Sequence, residues 1–272
     1  MPTRRAILAL AALGFVAAMA TPKAKATTRP LLLGSTTTTD NSGFTAYILP
    51  LFEADASVSV RVVVGGTGRI LKLLADGDLD AALTHYPEGE ERLVAAGGAG
   101  ARIPVMENDF LIAGPAADPA GVRDAASAAE ALALIAATKA PFLSRGDDSG
   151  THAMERALWA TRPGQGRDAP GWYRETGAGM GATLNIAAAM GGYALVDRAT
   201  WATFANPQGL TALFEDPHAM RNVYSILTPS AAHAHADRPG AAALADWFAS
   251  ERGRAAISAF RRDGRPLFRP IR

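Results

Sequence analysis

The chain has 272 residues, with 27 Lys+Arg against 26 Asp+Glu, 49% hydrophobic residues and no cysteine. That length buries a large core as one big domain or two smaller ones. The balanced charge argues against nonspecific nucleic-acid binding, which needs a global positive field, and the missing thiols exclude disulfides and a lipid anchor on cysteine.

The first elements concern export. Arg4 and Arg5 precede Ala6 to Ala20, a run without a charge. The run falls short of the about 20 apolar residues a membrane-spanning helix needs. A basic start, a short apolar stretch and small residues at Ala18-Met19-Ala20 and Ala24-Lys25-Ala26 read as a cleaved signal peptide over residues 1–26. An uncleaved anchor is the alternative, and Thr3-Arg4-Arg5 hints at twin-arginine export. Residues 1–26 hold four basic and no acidic residues, so cleavage would leave 23 basic against 26 acidic, a net of −3. An anionic ligand would then have to be recognised by local groups.

Beyond the signal, strands and helices alternate. Pro30 to Gly34 reads as a buried strand, and Ser35 to Gly43 as a polar loop. Phe44, Tyr47, Ile48 and Leu51 recur at helical spacing, with Pro50 expected to kink or shorten the helix. Val58 to Val64 is a β-branched second strand, Gly65 to Gly68 a tight loop, and Ile70 to Leu74 a helix closed by Gly77. Leu79 to Leu83 is a third strand, Glu90 to Ala96 a helix, Phe110 to Gly114 a fourth strand, and Ala116 to Ala137 a helix with its approach loop. Asn222 to Leu227 reads as a late strand, and Ala241 to Phe260 as closing helices with Leu244, Trp247 and Phe248 on one face. The alternation predicts an α/β fold with largely parallel sheets.

The run Ser144 to His152 carries the strongest functional signal. Arg145 is a permanent cation, Gly146 permits a sharp turn, and Ser149-Gly150-Thr151 precedes the helical spacing of Met154, Ala157 and Leu158. A helix start there would expose unpaired N–H groups and the positive end of the dipole, a socket for an anion. A simple cap by Asp148 or Ser149 is the plainer alternative. Three strand-to-helix loops (35–43, 65–68 and 144–151) share hydroxyls and glycines, and Arg145 is the one cation among them. Such loops gather at the carboxyl ends of strands in open α/β sheets. Neutral donors and one arginine suit a tetrahedral oxyanion.

Other chemistries fit less well. Gly66-x-Gly68-x-x-Leu71 fails the dinucleotide fingerprint at its third glycine, and no loop holds a P-loop lysine. Ser149 lies outside a nucleophile elbow, and His152 one turn away is poorly placed for a triad. His233-x-His235 lacks the companion ligands of a closed metal site.

In combination, several strings resemble the periplasmic tungstate-binding receptors of tungstate-specific ABC importers. They are Thr36 to Gly43, Val64 to Gly68, Asn108 to Pro115, Ser144 to His152, Trp172 to Leu184 and Tyr193 to Arg198, within a match from about Leu31 to Pro229. Thr38 stands where that family more often has serine.

The resemblance implies a two-lobed periplasmic-binding-protein fold of type II, with the ligand in the cleft between the lobes. Lobe one would be 27–110 plus 228–272, and lobe two 111–227. Thr37, Thr38, Thr67 and Gly68 would bind from lobe one, and Arg145, Ser149, Gly150 and Thr151 from lobe two, with Gly179-Met180-Gly181 a further donor. The implied ligand is the tungstate oxyanion itself, and no cofactor, separate metal site or catalysis is expected. Membrane permease subunits would be the partners of a monomeric receptor that binds no nucleic acid. Asp147 is read as pairing with Arg145 and aiming it. A phosphate receptor in which Asp147 accepts the ligand's proton, a molybdate receptor, a sensor partner of a membrane signalling protein, and an enzyme on the same fold remain the alternatives.

Overall fold

The computed structural model describes residues 29–161 and 171–271. The signal peptide expected over residues 1–26 lies outside them. Among the described residues, no helix is long and apolar enough to cross a membrane.

The first part of the chain forms β1 (Leu31–Thr36), α1 (Thr37–Asn41), α2 (Phe44–Ala56), β2 (Val60–Gly65), α3 (Thr67–Asp76), β3 (Ala81–Thr84), α4 (Pro87–Ala95) and β4 (Ala99–Pro115). It continues through α5 (Ala128–Thr138), β5 (Phe142–Ser144), α6 (Gly150–Ala160), β6 (Tyr173–Glu175), α7 (Met180–Met190), β7 (Ala194–Asp197) and α8 (Arg198–Thr203). Then come β8 (Leu210–Glu215), β9 (Arg221–Pro229), α9 (Arg238–Ala249) and α10 (Glu251–Ala259).

These elements build two lobes. In the first, β2, β1 and β3 run parallel, and β9 and β4 complete the sheet in antiparallel pairings. Side chains alternate across it, as strand pleating requires. Leu31, Leu33, Ala81 and Leu83 join Phe44, Phe52, Leu244 and Phe248 on one face, while Ala82 joins Ile70, Leu74 and Leu79 on the other. In the second lobe, β7 and β8 flank the far half of β4, and β5 pairs in parallel with β6. Phe110 and Ile112 face Ile135, Phe142 and Trp159, and Leu111 and Ala113 face Leu143, Leu184 and Val196.

The structure departs from expectation in four places. The polar run after β1 is not all loop: Thr36 Oγ1 accepts from the Thr39 N–H and caps the single turn of α1. Pro50 does not cut α2 short. The helix continues to Ala56 because Phe44, Ile48, Leu49 and Phe52 are buried along it, and tertiary packing outweighs one missing N–H. The fourth strand is 17 residues long, not five. Its first half escapes pattern reading because Pro104 cannot donate and the register shifts between Pro104 and Met106. The sheets are mixed rather than largely parallel: the strand around Asn222 to Leu227 forms, and it pairs antiparallel with β3 and with the first half of β4. Within that pairing Arg221 lies opposite Asp109.

Asp80 ties the start of the described chain to both ends of the first lobe. It accepts from Arg29 twice at 2.7 Å and from the Leu32 and Asp237 N–H groups at 2.8 Å each. Burial pushes its carboxyl up, but Arg29 and the two N–H groups outweigh that and hold it below the usual carboxylate range. Asp80→Ala leaves two backbone donors and a guanidinium without their acceptor, and should cost roughly 3 kcal/mol in urea unfolding at pH 7. The Asp80 contribution should be complete above a pH of about 4 and fade as pH falls through the depressed folded value.

Candidate functional site

Sheet register places the first three loops at one edge. Thr36 pairs with Gly65 and Ser35 with Leu83, so Thr37-Thr38, Thr67-Gly68 and His85 all leave from the carboxyl ends of neighbouring parallel strands. In the second lobe, Ser144 pairs with Glu175, and Leu143 bonds to the Tyr193 carbonyl at 2.8 Å. The loops after β5, β6 and β7 therefore also share an edge. The two edges meet: Gly150 packs on the backbone of His85, and Gly68 lines a groove together with Asp148 and Arg156.

Each loop supplies hydroxyls. Thr38, Thr67 and Thr151 are exposed by 5%, 2% and 1%, and the Thr151 hydroxyl is buried with no hydrogen-bond partner among the described residues. Thr37 is exposed, one position away from the capping pair Thr36 and Thr39. Ser149 is the N-cap of α6, its Oγ accepting from the His152 N–H at 3.3 Å. Capping and anion binding are thus compatible: the cap occupies one donor and leaves the Gly150 and Thr151 N–H groups at the helix start. Thr67 and Gly68 open α3 without any side-chain cap.

Arg145 is buried, and its guanidinium donates to Asp147 Oδ2 at 3.1 Å from Nε and 2.5 Å from Nη2. Asp147 Oδ1 takes the Ser149 N–H at 3.2 Å, so one carboxylate fixes both the cation and the helix start. The expected pairing of Asp147 with Arg145 is present. Burial pushes the Asp147 carboxyl up, but donation from Ser149 and the Arg145 charge prevail and keep it below the usual range. Gly146 makes the turn at φ 59°, where a Cβ would also stand 2.7 Å from that of Glu175.

A buried polar layer at the cleft floor was not read from sequence. His85 Nδ1 lies 2.9 Å from Asn222 Oδ1, and Asn222 Nδ2 donates to Asn108 Oδ1 at 2.8 Å and to the Tyr224 hydroxyl at 3.1 Å. Burial pushes the His85 imidazole down and the Tyr224 phenol well up, so both stay neutral. Asp197 caps α8 through one carboxylate oxygen, and its other oxygen is buried without a partner. The available signal was positional: His85 follows a strand at the same edge as the threonine loops, and Asn108 and Asn222 interrupt apolar strands.

His152 Nδ1 accepts from the Asp148 N–H at 3.1 Å, while Ser149 Oγ serves the helix cap. That arrangement orders a loop and does not activate a nucleophile. His233 and His235 sit in the turn before α9. Among the described residues, no three His, Asp or Glu side chains group to hold a metal ion.

Two α/β lobes that share strand β4 and whose loop edges meet at His85 and Gly150 have the architecture of a solute-binding receptor. The chain belongs to the PBP superfamily, whose domain matches residues 21–252. It is 36% identical over 245 residues to the tungstate-binding protein TupA of Peptoclostridium acidaminophilum, across 88% of this chain and 85% of that protein. The structure of TupA from Desulfovibrio alaskensis G20 matches with a TM-score of 0.79 at 39% identity, over 89% of this chain and 99% of that one. The structure described as the tungstate ABC transporter from Geobacter sulfurreducens matches at 0.77 and 39%, over 85% and 98%.

Asp147→Ala should leave the buried Arg145 cation uncompensated and cost roughly 2–3 kcal/mol in urea unfolding without ligand. An added oxyanion should recover part of that loss if it meets the same guanidinium.

Proposed function

We propose that this protein captures tungstate in the cleft between its lobes and presents it to the permease of an ABC importer. The observation that carries this reading is the set of three buried threonines, Thr38, Thr67 and Thr151, that come from both lobes, the Thr151 hydroxyl being buried without a protein partner among the described residues. With Arg145 and the N–H groups of Gly68, Gly150 and Thr151, they make a shell of donors suited to four oxyanion oxygens. Thr37 and Ser149 flank that shell. The lobes are taken as 29–109 with 221–271, and 110–220. Neither lobe surrounds the anion alone, so binding favours the closed arrangement.

Asp147 supports tungstate over hydrogen phosphate. Both of its oxygens already accept hydrogen bonds, and its depressed pKa keeps it ionised near neutrality. With its oxygens turned to Arg145 and the Ser149 N–H, it is read as aiming the guanidinium rather than accepting a ligand proton. The relatives named as tungstate-binding support the same choice. On this reading the protein is not an enzyme, acts as a monomer, needs no cofactor, and works outside the cytoplasm after signal cleavage.

Thermal unfolding of the mature protein with tungstate, molybdate, sulfate, phosphate and nitrate tests the proposal. Ligand at a hundredfold over its Kd stabilises the fold by about 2.7 kcal/mol. Tungstate should shift the midpoint, and Arg145→Ala should lower affinity by about 100-fold in calorimetry while the apo protein still unfolds cooperatively. A shift with phosphate alone would overturn the tungstate assignment, and unchanged affinity in Arg145→Ala would remove that residue from the site.

A further inference from the structure

Gly150 opens α6 in the second lobe and lies directly against His85 of the first. A methyl group there would stand 3.1 Å from His85 Nδ1, 3.2 Å from its carbonyl carbon, and far inside van der Waals distance of its carbonyl oxygen. His85 has little room to yield. Its ring stacks on Tyr224 at 4.8 Å and bonds to Asn222, which Asn108 and Tyr224 hold in turn. Tyr224 rests edge-on against Phe268 at 5.3 Å.

Backbone conformation does not explain this glycine. Gly150 lies outside the positive-φ set, and glycine within a helix is less favourable than alanine. The neighbouring loop glycines contrast with it: a Cβ on Gly66, Gly68, Gly179 or Gly181 would meet nothing within 4 Å. At those positions the anion loops have room for a side chain. At Gly150 the other lobe occupies that room.

We propose that Gly150 determines closure: its missing side chain lets α6 seat on His85, and that seating sets how long the anion is held, independently of any N–H it offers. The inference rests on the proposed capture of an oxyanion between the lobes. A second small residue of that lobe is packed against the first. Ala199 of α8 is fully buried within the first lobe's core cluster, and α8 packs on α1. Both seats are filled by small residues on helices of the second lobe.

The test uses the mature, anion-free receptor and its Gly150→Ala and Ala199→Leu variants, with small-angle scattering and stopped-flow tungstate binding. The wild type should contract on saturation with tungstate. Gly150→Ala keeps the N–H, so a lost donor cannot explain its behaviour. It should stay expanded and release tungstate roughly 100-fold faster, with little change in association rate. Ala199→Leu, which supplies no ligand donor, should do the same and decides between the outcomes if Gly150→Ala does not fold. Contraction and release like the wild type in the folded variants would overturn the proposal. If the wild type contracts with another oxyanion instead of tungstate, the ligand assignment fails and the variants are read with that anion. A wild type that contracts with none overturns both.

Discussion

Strand β4 runs out of one sheet and into another, pairing with β9 up to Asp109 and with β7 and β8 beyond Phe110. This continuity fixes where the lobes join and which edges of them can meet. Beside the join, the Phe110 N–H donates to the Met220 carbonyl at 2.8 Å, where the chain returns. Arg198 holds Asp109 at 2.8 and 2.5 Å and reaches Glu215 at 2.8 Å, so the crossing carries a charged clamp as well as backbone bonds. These bonds to carboxylates raise the Arg198 guanidinium above its ordinary value despite burial, so the arginine keeps its charge.

The electrostatic economy of the cleft follows from that geometry. A dianion enclosed between two lobes loses its hydration and must find donors in fixed positions. Several cations would raise attraction, but each would need its own desolvation and partner when the cleft is open. The loops instead offer threonine hydroxyls, helix N-termini and a single guanidinium aimed by Asp147. Helix starts suit this role because their N–H groups are already without intrahelical partners.

The floor of the cleft adds rigidity. His85, Asn108, Asn222 and Tyr224 form a neutral hydrogen-bonded layer beneath the meeting point. Low local dielectric strengthens such a layer when its groups are paired. A stiff surface on one side and a glycine on the other permit an approach that larger residues would prevent.

Much of this protein was legible along the chain. The helix start at Ser149 announced itself because its cap, turn glycine and apolar spacing are all local, and so did the pairing of Arg145 with Asp147 two residues away. The α/β alternation followed from periodicity in the same way. The length of β4 did not, because Pro104 and a register shift break its pattern and pairing partners far along the chain restore it. Pro50 misled for a related reason: core packing, not local propensity, decided the fate of α2. The sequence by itself determined the chemistry on offer, namely hydroxyls, helix ends and one arginine on strand-to-helix loops. Only the tertiary structure decided that His85 and Asn222 lie under those loops and that Gly150 touches the opposite lobe. Such contacts join residues far apart in the chain, and their geometry is set by sheet register, which no short stretch of sequence encodes.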